Sequence, residues 1–234
     1  MLQIKNIWVK YGAIAAVRDL SMTISQGDFV TVLGSNGAGK SSTINAISGM
    51  VRVCDGEICY KGENITGRKP GKIAALGIIQ IPEGRKLFPL LTVEENLNVG
   101  AYLCRDKIRV RKEKEKSLEF FPILKEKLHE KARSLSGGQQ QMVAIARGLM
   151  ACPEILMFDE PSLGLSPIIR QQLTQKITEI HQEGTTIILV EQNARLGLMI
   201  ASYGYVLENG ELSMHGRTGD LMRDENVKKA YLGV

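Results

Sequence analysis

The sequence predicts an α/β fold: a parallel sheet crossed by helices, with an antiparallel β lobe near the N-terminus and an inserted α-helical segment. Three observations carry this. Beyond residue 150, apolar runs alternate with helical patterns (EILMF, PIIRQQLTQKITEIHQ, TTIILV, ARLGLMIA), and strands joined by crossover helices pair in parallel. The first thirty residues are rich in β-formers instead, LQIKNIWVKYG and AVRDLSMTI, and end in the turn QGD. Between Thr92 and about Leu149 no strand pattern is convincing. There Leu97, Ala101, Leu118, Phe121, Leu124 and Leu128 recur at helical spacing, and Pro122 breaks or restarts the segment.

The elements follow in order. Phe29 to Leu33 is apolar except for Thr31 and reads as a strand buried on both faces. A glycine-rich loop leads into a helix from about Gly39 to Met50. GEICYKGENI is a hairpin-like excursion, KIAALGIIQIPEG a short helix and another strand, and YGYVLENGELSMHG ends the alternating part. With 234 residues, residues 1–234 suit one large domain, with a helical subdomain at about residues 88–149.

Composition narrows the class. Apolar residues make up 44% and charged residues 24%, which is globular rather than disordered. No apolar stretch reaches 18 residues, the length needed to span a bilayer, and the N-terminus lacks the apolar core of a signal peptide, so a cytoplasmic location is expected. The four cysteines form no C-x-x-C pair and no histidine sits near them at zinc spacing, so free thiols are expected. Much of the positive excess lies in RDKIRVRKEKEK, Arg105 to Lys116, whose alternating signs read as a solvated helix face. No aromatic residue interleaves these charges, which weighs against single-stranded nucleic acid as a partner.

Two motifs carry chemistry. GSNGAGKS fits G-x-x-x-x-G-K-[ST] between a buried strand and a helix. Its glycines let the backbone turn tightly and aim N–H groups inward, where they and the positive helix end cradle phosphates. Gly34, Ser35, Asn36, Gly37, Ala38, Gly39, Lys40, Ser41 and Ser42 are therefore candidate nucleotide-binding residues. Lys40 supplies a point charge for the β- and γ-phosphates, and the Ser41 hydroxyl a hard oxygen ligand for Mg²⁺. ILMFDEPSLG then brings Asp159 and Glu160 to the end of a second apolar strand. Parallel strands present their carboxyl ends on one side of the sheet, so Asp159 is expected beside Mg²⁺ and Glu160 beside a water that it orients or deprotonates.

A second anion site is expected where SLSGGQQQMVAIARGLM begins. Ser136 stands at the N-cap position, and free N–H groups follow it. The chain has one phosphate loop, so an economical partner for this site is the γ-phosphate held by another copy of the protein.

Here the sequence resembles the ATP-binding-cassette ATPases: LSGGQ, Leu135 to Gln139, is similar to their signature, and the resemblance runs over essentially the whole chain. It implies a P-loop NTPase (RecA-like) core and ATP with Mg²⁺. It also implies a head-to-tail dimer, homo- or heteromeric, in which each ATP touches the phosphate loop of one copy and Ser136 and Gly138 of the other. Tyr11 resembles the residue that stacks on adenine. Three positions depart from the commonest pattern. Glu83 in IPEGRKLF stands where a metal-sensing glutamine is usual, with Gln80 still inside the strand; Ser166 replaces an aspartate; and Gln192 replaces the switch histidine. PEGR, EPSLGLSP, LVEQNA and the ending VKKAYLGV resemble one branch, the ATPases of branched-chain amino-acid importers of the LivF type. Urea and amide importers share much of the pattern. The resemblance implies transmembrane permease partners docking near Glu83 to Phe88, an external substrate-binding protein, no nucleic-acid partner, and a place on the inner face of the membrane.

Glu83, a carboxylate near phosphates, is expected to pair with Arg85 or Lys86 and to contact the partner. A soluble cassette ATPase acting on nucleic acid fits less well, because this chain has one cassette and a short insertion. A P-loop kinase lacks the signature. Gln192 is expected to donate its amide N–H where a histidine would. Gln192→Ala should therefore lower turnover in a steady-state ATPase assay, and the wild-type pH profile should show no transition assignable to a switch histidine. Unchanged kinetics in the variant would make Gln192 a bystander.

Overall fold

The structure is a computed structural model. It describes residues 1–104 and 106–232; Arg105, at the head of the basic stretch, and Gly233 and Val234 of the VKKAYLGV ending lie outside the described residues. The strands are β1 (Leu2–Tyr11), β2 (Ile14–Ile24), β3 (Phe29–Leu33), β4 (Val53–Tyr60), β5 (Glu63–Asn64), β6 (Ile78–Ile81), β7 (Ile155–Asp159), β8 (Thr186–Glu191), β9 (Tyr203–Glu208) and β10 (Glu211–Arg217). The helices are α1 (Lys40–Ile47), α2 (Pro70–Ala74), α3 (Val93–Gly100), α4 (Lys107–Phe120), α5 (Ile123–Glu126), α6 (Gly137–Leu149), α7 (Pro167–Gln182), α8 (Ala194–Ile200), α9 (Thr218–Leu221) and α10 (Glu225–Val227).

Two sheets result. The first, ordered β2-β1-β4-β5, is antiparallel; the second, ordered β10-β9-β3-β8-β7-β6, is parallel except for the edge strand β10. Their strands differ as their surroundings require. β3, β7 and β8 are buried at every residue, as strands covered on both faces must be. β1 and β10 alternate, with one face buried in β1 and half-buried in β10. Asn209 and Gly210 join β9 to β10 with positive φ at both positions (52° and 87°), the two-residue turn whose twist matches a hairpin.

One core lies between the sheets: Leu2, Ile4 and Val17 meet Val30, Ile44, Ile188 and Val190. A second joins the other face of the parallel sheet to the helices, with Phe29, Leu156, Phe158 and Leu189 against Leu97, Phe121, Val143, Ile145 and Ile177. The helical stretch is interrupted at Pro122, where α4 ends and α5 begins, because the proline ring cannot continue the preceding helix. α4 is largely exposed and ion-paired, Arg111 to Glu115 at 3.1 Å and Lys116 to Glu183 at 3.2 Å, which agrees with a solvated face. The four cysteines are free. Among the described residues no helix is long and apolar enough to cross a membrane.

α3 packs directly on α6, and Gly100 sets how close. A Cβ at Gly100 would stand 2.0 Å from the Arg147 carbonyl oxygen, a backbone atom with no rotamer to yield. Gly100→Ala should cost about 1–3 kcal/mol as overpacking, which for a chain of this size lowers Tm by about 2–12 °C. Thermal unfolding followed by circular dichroism checks this; an unchanged midpoint would mean that α3 and α6 separate freely.

Candidate functional site

The register of the parallel sheet brings the polar strand ends to one level. Leu33 pairs with Glu191, Asp159 with Val190, and Ile81 with Phe158. The chain therefore leaves β3, β7, β8 and β6 at the same edge, and the loops that follow line one cavity of about 680 Å³. Its walls include Asn36, Gly37, Ala38, Gly39, Lys40, Ser41, Ser42, Glu83, Glu160 and Gln192. Ile14, Ala15, Ala16 and Arg18 of the first sheet and Asn209 of the β9–β10 turn close it.

Local backbone chemistry shapes the phosphate loop. Gly39 caps α1 at φ 101° and its side offers no capping side chain, so N–H groups of the first turn remain free for an anion. A Cβ at Gly39 would lie 2.5 Å from the Ala16 carbonyl oxygen; only glycine fits both the φ and the space. The β9–β10 turn braces the loop, the Gly210 N–H donating to the Ala38 oxygen at 3.2 Å and the Arg18 N–H to the Gly210 oxygen at 2.7 Å.

The charges are tightly placed. Lys40 is 4% exposed; its ammonium donates to the carbonyls of Gly34 (2.9 Å) and Ser35 (3.1 Å) and lies 3.4 Å from the Glu160 carboxylate. The Ser41 hydroxyl donates to Asp159 Oδ1 at 2.9 Å. Burial pushes the Asp159 carboxyl up; the Ser41 bond opposes this, the charges of Glu160 and Glu83 add to it, and Lys40 opposes it. Two carboxylates, Glu83 and Glu160, thus line the cavity with the buried Lys40 ammonium, and a third, Asp159, lies behind Ser41, a donor set that favours a further cation. Among the described residues no group of three or more His, Cys, Asp or Glu could hold a metal by itself. A hydroxyl and one or two carboxylates completed by substrate phosphates is how Mg²⁺ is commonly held, and Ser41 with Asp159 fits that pattern.

The expected residues divide into three groups. Residues 36–42, Glu83, Glu160 and Gln192 line the cavity, Gly34 and Ser35 orient Lys40 through their carbonyls, and Asp159 is buried behind Ser41. Tyr11 is half exposed at the end of β1, opposite Ile14 of the cavity wall. Ser136 and Gly138 begin α6 outside this cavity. Ser136 is exposed and N-caps α6 in a capping box, its Oγ accepting from the Gln139 N–H at 3.4 Å and the Gln139 side chain accepting from the Ser136 N–H at 3.0 Å.

One expectation is corrected. Among the described residues Glu83 makes no ion pair with Arg85 or Lys86. Arg85 turns to α6, where its Nη1 donates to Gln140 Oε1 at 3.3 Å. Residues 85 and 86 adopt left-handed backbone (φ 66° and 41°), and their carbonyls accept from the Arg147 guanidinium at 3.2 and 2.9 Å. The turn thereby sends the Arg85 side chain to α6 rather than to Glu83. Gln80 lies within β6 and faces α1: it accepts from the Ser48 hydroxyl at 2.6 Å and donates to Asn45 at 2.8 Å. Ser166, the aspartate replacement, N-caps α7.

Sequence reasoning missed Glu191. It is 2% exposed, and its Oε2 accepts from the Ser162 hydroxyl at 3.0 Å. Burial pushes its carboxyl up to about 7; the bonds from Ser162 oppose this, as does the charge of Arg170, while that of Glu160 adds to it. The available signal was its position, one residue beyond an unbroken apolar strand.

The sequence and the fold are similar to those of known proteins. The family model described as ABC transporter matches residues 17–163. The high-affinity branched-chain amino acid transport ATP-binding protein BraG of Pseudomonas aeruginosa is 44% identical over 233 residues, covering all of both chains. The probable branched-chain amino acid transport ATP-binding protein LivF of Archaeoglobus fulgidus is 33% identical over 100% of this chain and 99% of its own. Among solved structures, the ADP conformation of an ATP-binding cassette of an ABC transporter superimposes with a TM-score of 0.87 at 28% identity, covering 100% of this chain and 99% of that one. A dimeric bacterial ABC transporter cassette does so at 0.83 and 25%, covering 93% and 99%.

Glu191 gives the site a pH signature. Its folded pKa lies above the unfolded value, so the folded state binds more protons between the two. Stability is then lost as pH rises from about 4.5 to about 7. Glu191→Gln abolishes that loss. The Tm of the variant relative to wild type should rise between pH 5 and pH 8, by an amount worth up to about 3 kcal/mol. A difference that stays flat across this range would mean that Glu191 does not titrate there.

Proposed function

The chain belongs to the ABC transporter family, and we propose that it is the ATP-hydrolysing subunit of a membrane importer for branched-chain amino acids. The observation that carries the ATPase reading is the meeting of Lys40, the Ser41–Asp159 pair and Glu160 at one phosphate loop. The cargo reading rests on the likeness to BraG, at 44% identity over the full length.

The phosphates of ATP lie in the loop of residues 34–42, and Lys40 faces the β- and γ-phosphates. Mg²⁺, when bound, neutralises phosphate charge, with Ser41 and Asp159 as its holders and Glu83 a further candidate. Water attacks the γ-phosphorus in line, and the bond to the ADP oxygen breaks. Glu160 orients that water and takes its proton; Gln192 donates its amide N–H to the γ-phosphate; Tyr11 stacks on adenine. Little covalent work falls to the protein, so catalysis is charge placement. Ser136 and Gly138, outside the chain's own cavity, serve the γ-phosphate bound by a second copy, and the pair closes on ATP and opens after hydrolysis.

A separate membrane subunit takes up that movement. A groove of about 380 Å³ between the parallel sheet and the helices is lined by Ile79, Ile81, Phe88, Val99, Tyr102 and Leu103, several of them exposed. An apolar surface of this kind suits a protein partner, and we assign it to the permease; on this reading the chain works at the inner face of the membrane. The external substrate-binding protein acts through that permease.

Glu160→Gln should still bind ATP, measured with a fluorescent analogue, while steady-state turnover falls by about a hundredfold or more. Normal hydrolysis in this variant would remove Glu160 from the role. Transport reconstituted with candidate permeases should be stimulated by leucine, isoleucine or valine; uptake of urea or amides instead would overturn the cargo reading.

A further inference from the structure

Glu160 lies in left-handed backbone at φ 46°. A residue with a Cβ keeps such a conformation only where its surroundings impose it. Two bonds from β8 do so. The Glu160 N–H donates to the Val190 carbonyl at 2.9 Å, and the Ser162 hydroxyl donates to Glu191 Oε2 at 3.0 Å. Beyond Ser162, the loop is held from α7, where Arg170 Nη2 donates to the Leu165 carbonyl at 3.4 Å. Behind this loop is a second cavity of about 380 Å³, bordered by Glu160, Ser162, Gly164, Arg170 and Gln192. The loop therefore has room to relax into once a tether is lost.

We propose that Glu191 is a positioning residue for hydrolysis: through Ser162 it ties the loop after Glu160 to the end of β8, so that Glu160 and Gln192 are set as one unit. This deepens the functional reading above and rests on it. The burial is otherwise hard to explain. Glu191 Oε1 and Arg170 Nε are buried without a hydrogen-bond partner among the described residues; burying such groups unpaired costs stability, a cost that a functional role accounts for. Glu191 directly follows the residue that holds Glu160 and directly precedes Gln192. A single strand end thus aligns the residue that handles the water with the residue that faces the γ-phosphate, and small misplacements of such groups are costly to rate.

The test compares purified full-length wild type, Glu191→Ala, Glu191→Gln, Ser162→Ala and the double variant Ser162→Ala/Glu191→Ala. Glu191→Ala should lower kcat by about tenfold to a hundredfold while KM and the affinity for a fluorescent ATP analogue stay within about twofold. Glu191→Gln keeps an oxygen to accept the Ser162 hydroxyl and should restore most of kcat. The double variant should be no slower than Glu191→Ala, since both changes break one interaction. Wild-type kcat in Glu191→Ala, a parallel loss of kcat and affinity, additive effects, or a Gln variant as slow as the Ala variant would each overturn the proposal. If Glu191→Ala fails to fold, Ser162→Ala decides: it must slow turnover without weakening ATP binding, and wild-type kcat overturns the proposal. A wild-type protein without ATPase activity overturns the functional reading itself, whereas an active wild type with unaffected variants overturns only this inference.

Discussion

The parallel pairing of β8 between β3 and β7 is the constraint on which the rest depends. With Leu33 opposite Glu191 and Asp159 opposite Val190, three apolar strands end together and release their polar residues at one edge. A slip by one residue would turn each buried side chain to the other face of the sheet. Register is therefore guarded by the two cores that sandwich the sheet, and the site inherits its accuracy from apolar packing. The β9–β10 turn adds a local guard by holding the phosphate loop through Ala38 and Gly210.

On this frame the charges are arranged at some cost to the fold. Lys40 is buried, with two backbone carbonyls and Glu160 around it. Burial raises the carboxyl of Asp159; the Ser41 bond and the charge of Lys40 oppose that rise, while the charges of Glu160 and Glu83 add to it. Such crowding suits a site that receives phosphates with their counter-cation, where the field is in place before the reaction begins. Glu191 follows the same logic one layer further back, as a buried carboxylate that stabilises a geometry more than it stabilises the fold.

The parts legible in the sequence were those that local backbone chemistry dictates. The phosphate loop, the Ser136 cap, the break at Pro122 and the apolar strands each follow from residues adjacent in the chain. What escaped was long-range. The Ser162–Glu191 bond links residues 29 apart, Ser48–Gln80 residues 32 apart, and Arg147 with the Arg85 carbonyl residues 62 apart. No local pattern marks such partners. The expectation that Glu83 pairs with Arg85 failed for this reason: adjacency in sequence was no guide once a left-handed turn directed the Arg85 side chain toward α6. Gln80, by contrast, was placed correctly inside its strand, because apolar neighbours on both sides announce β6.

Taken together, the chain presents half of a reaction site twice over. One edge holds a phosphate loop with its lysine and carboxylates; the start of α6 holds a capped helix end with no phosphate loop beside it. Under the proposed function the two halves join across two copies, with ATP as the link that closes the pair and hydrolysis as the event that releases it. The most direct measurement mixes two individually inactive proteins, Lys40→Ala and Ser136→Arg, in an ATPase assay. A mixed pair retains one complete site, with the loop of one copy and the helix start of the other, so activity should return on mixing. A mixture as inactive as its components would contradict the joining of the two halves.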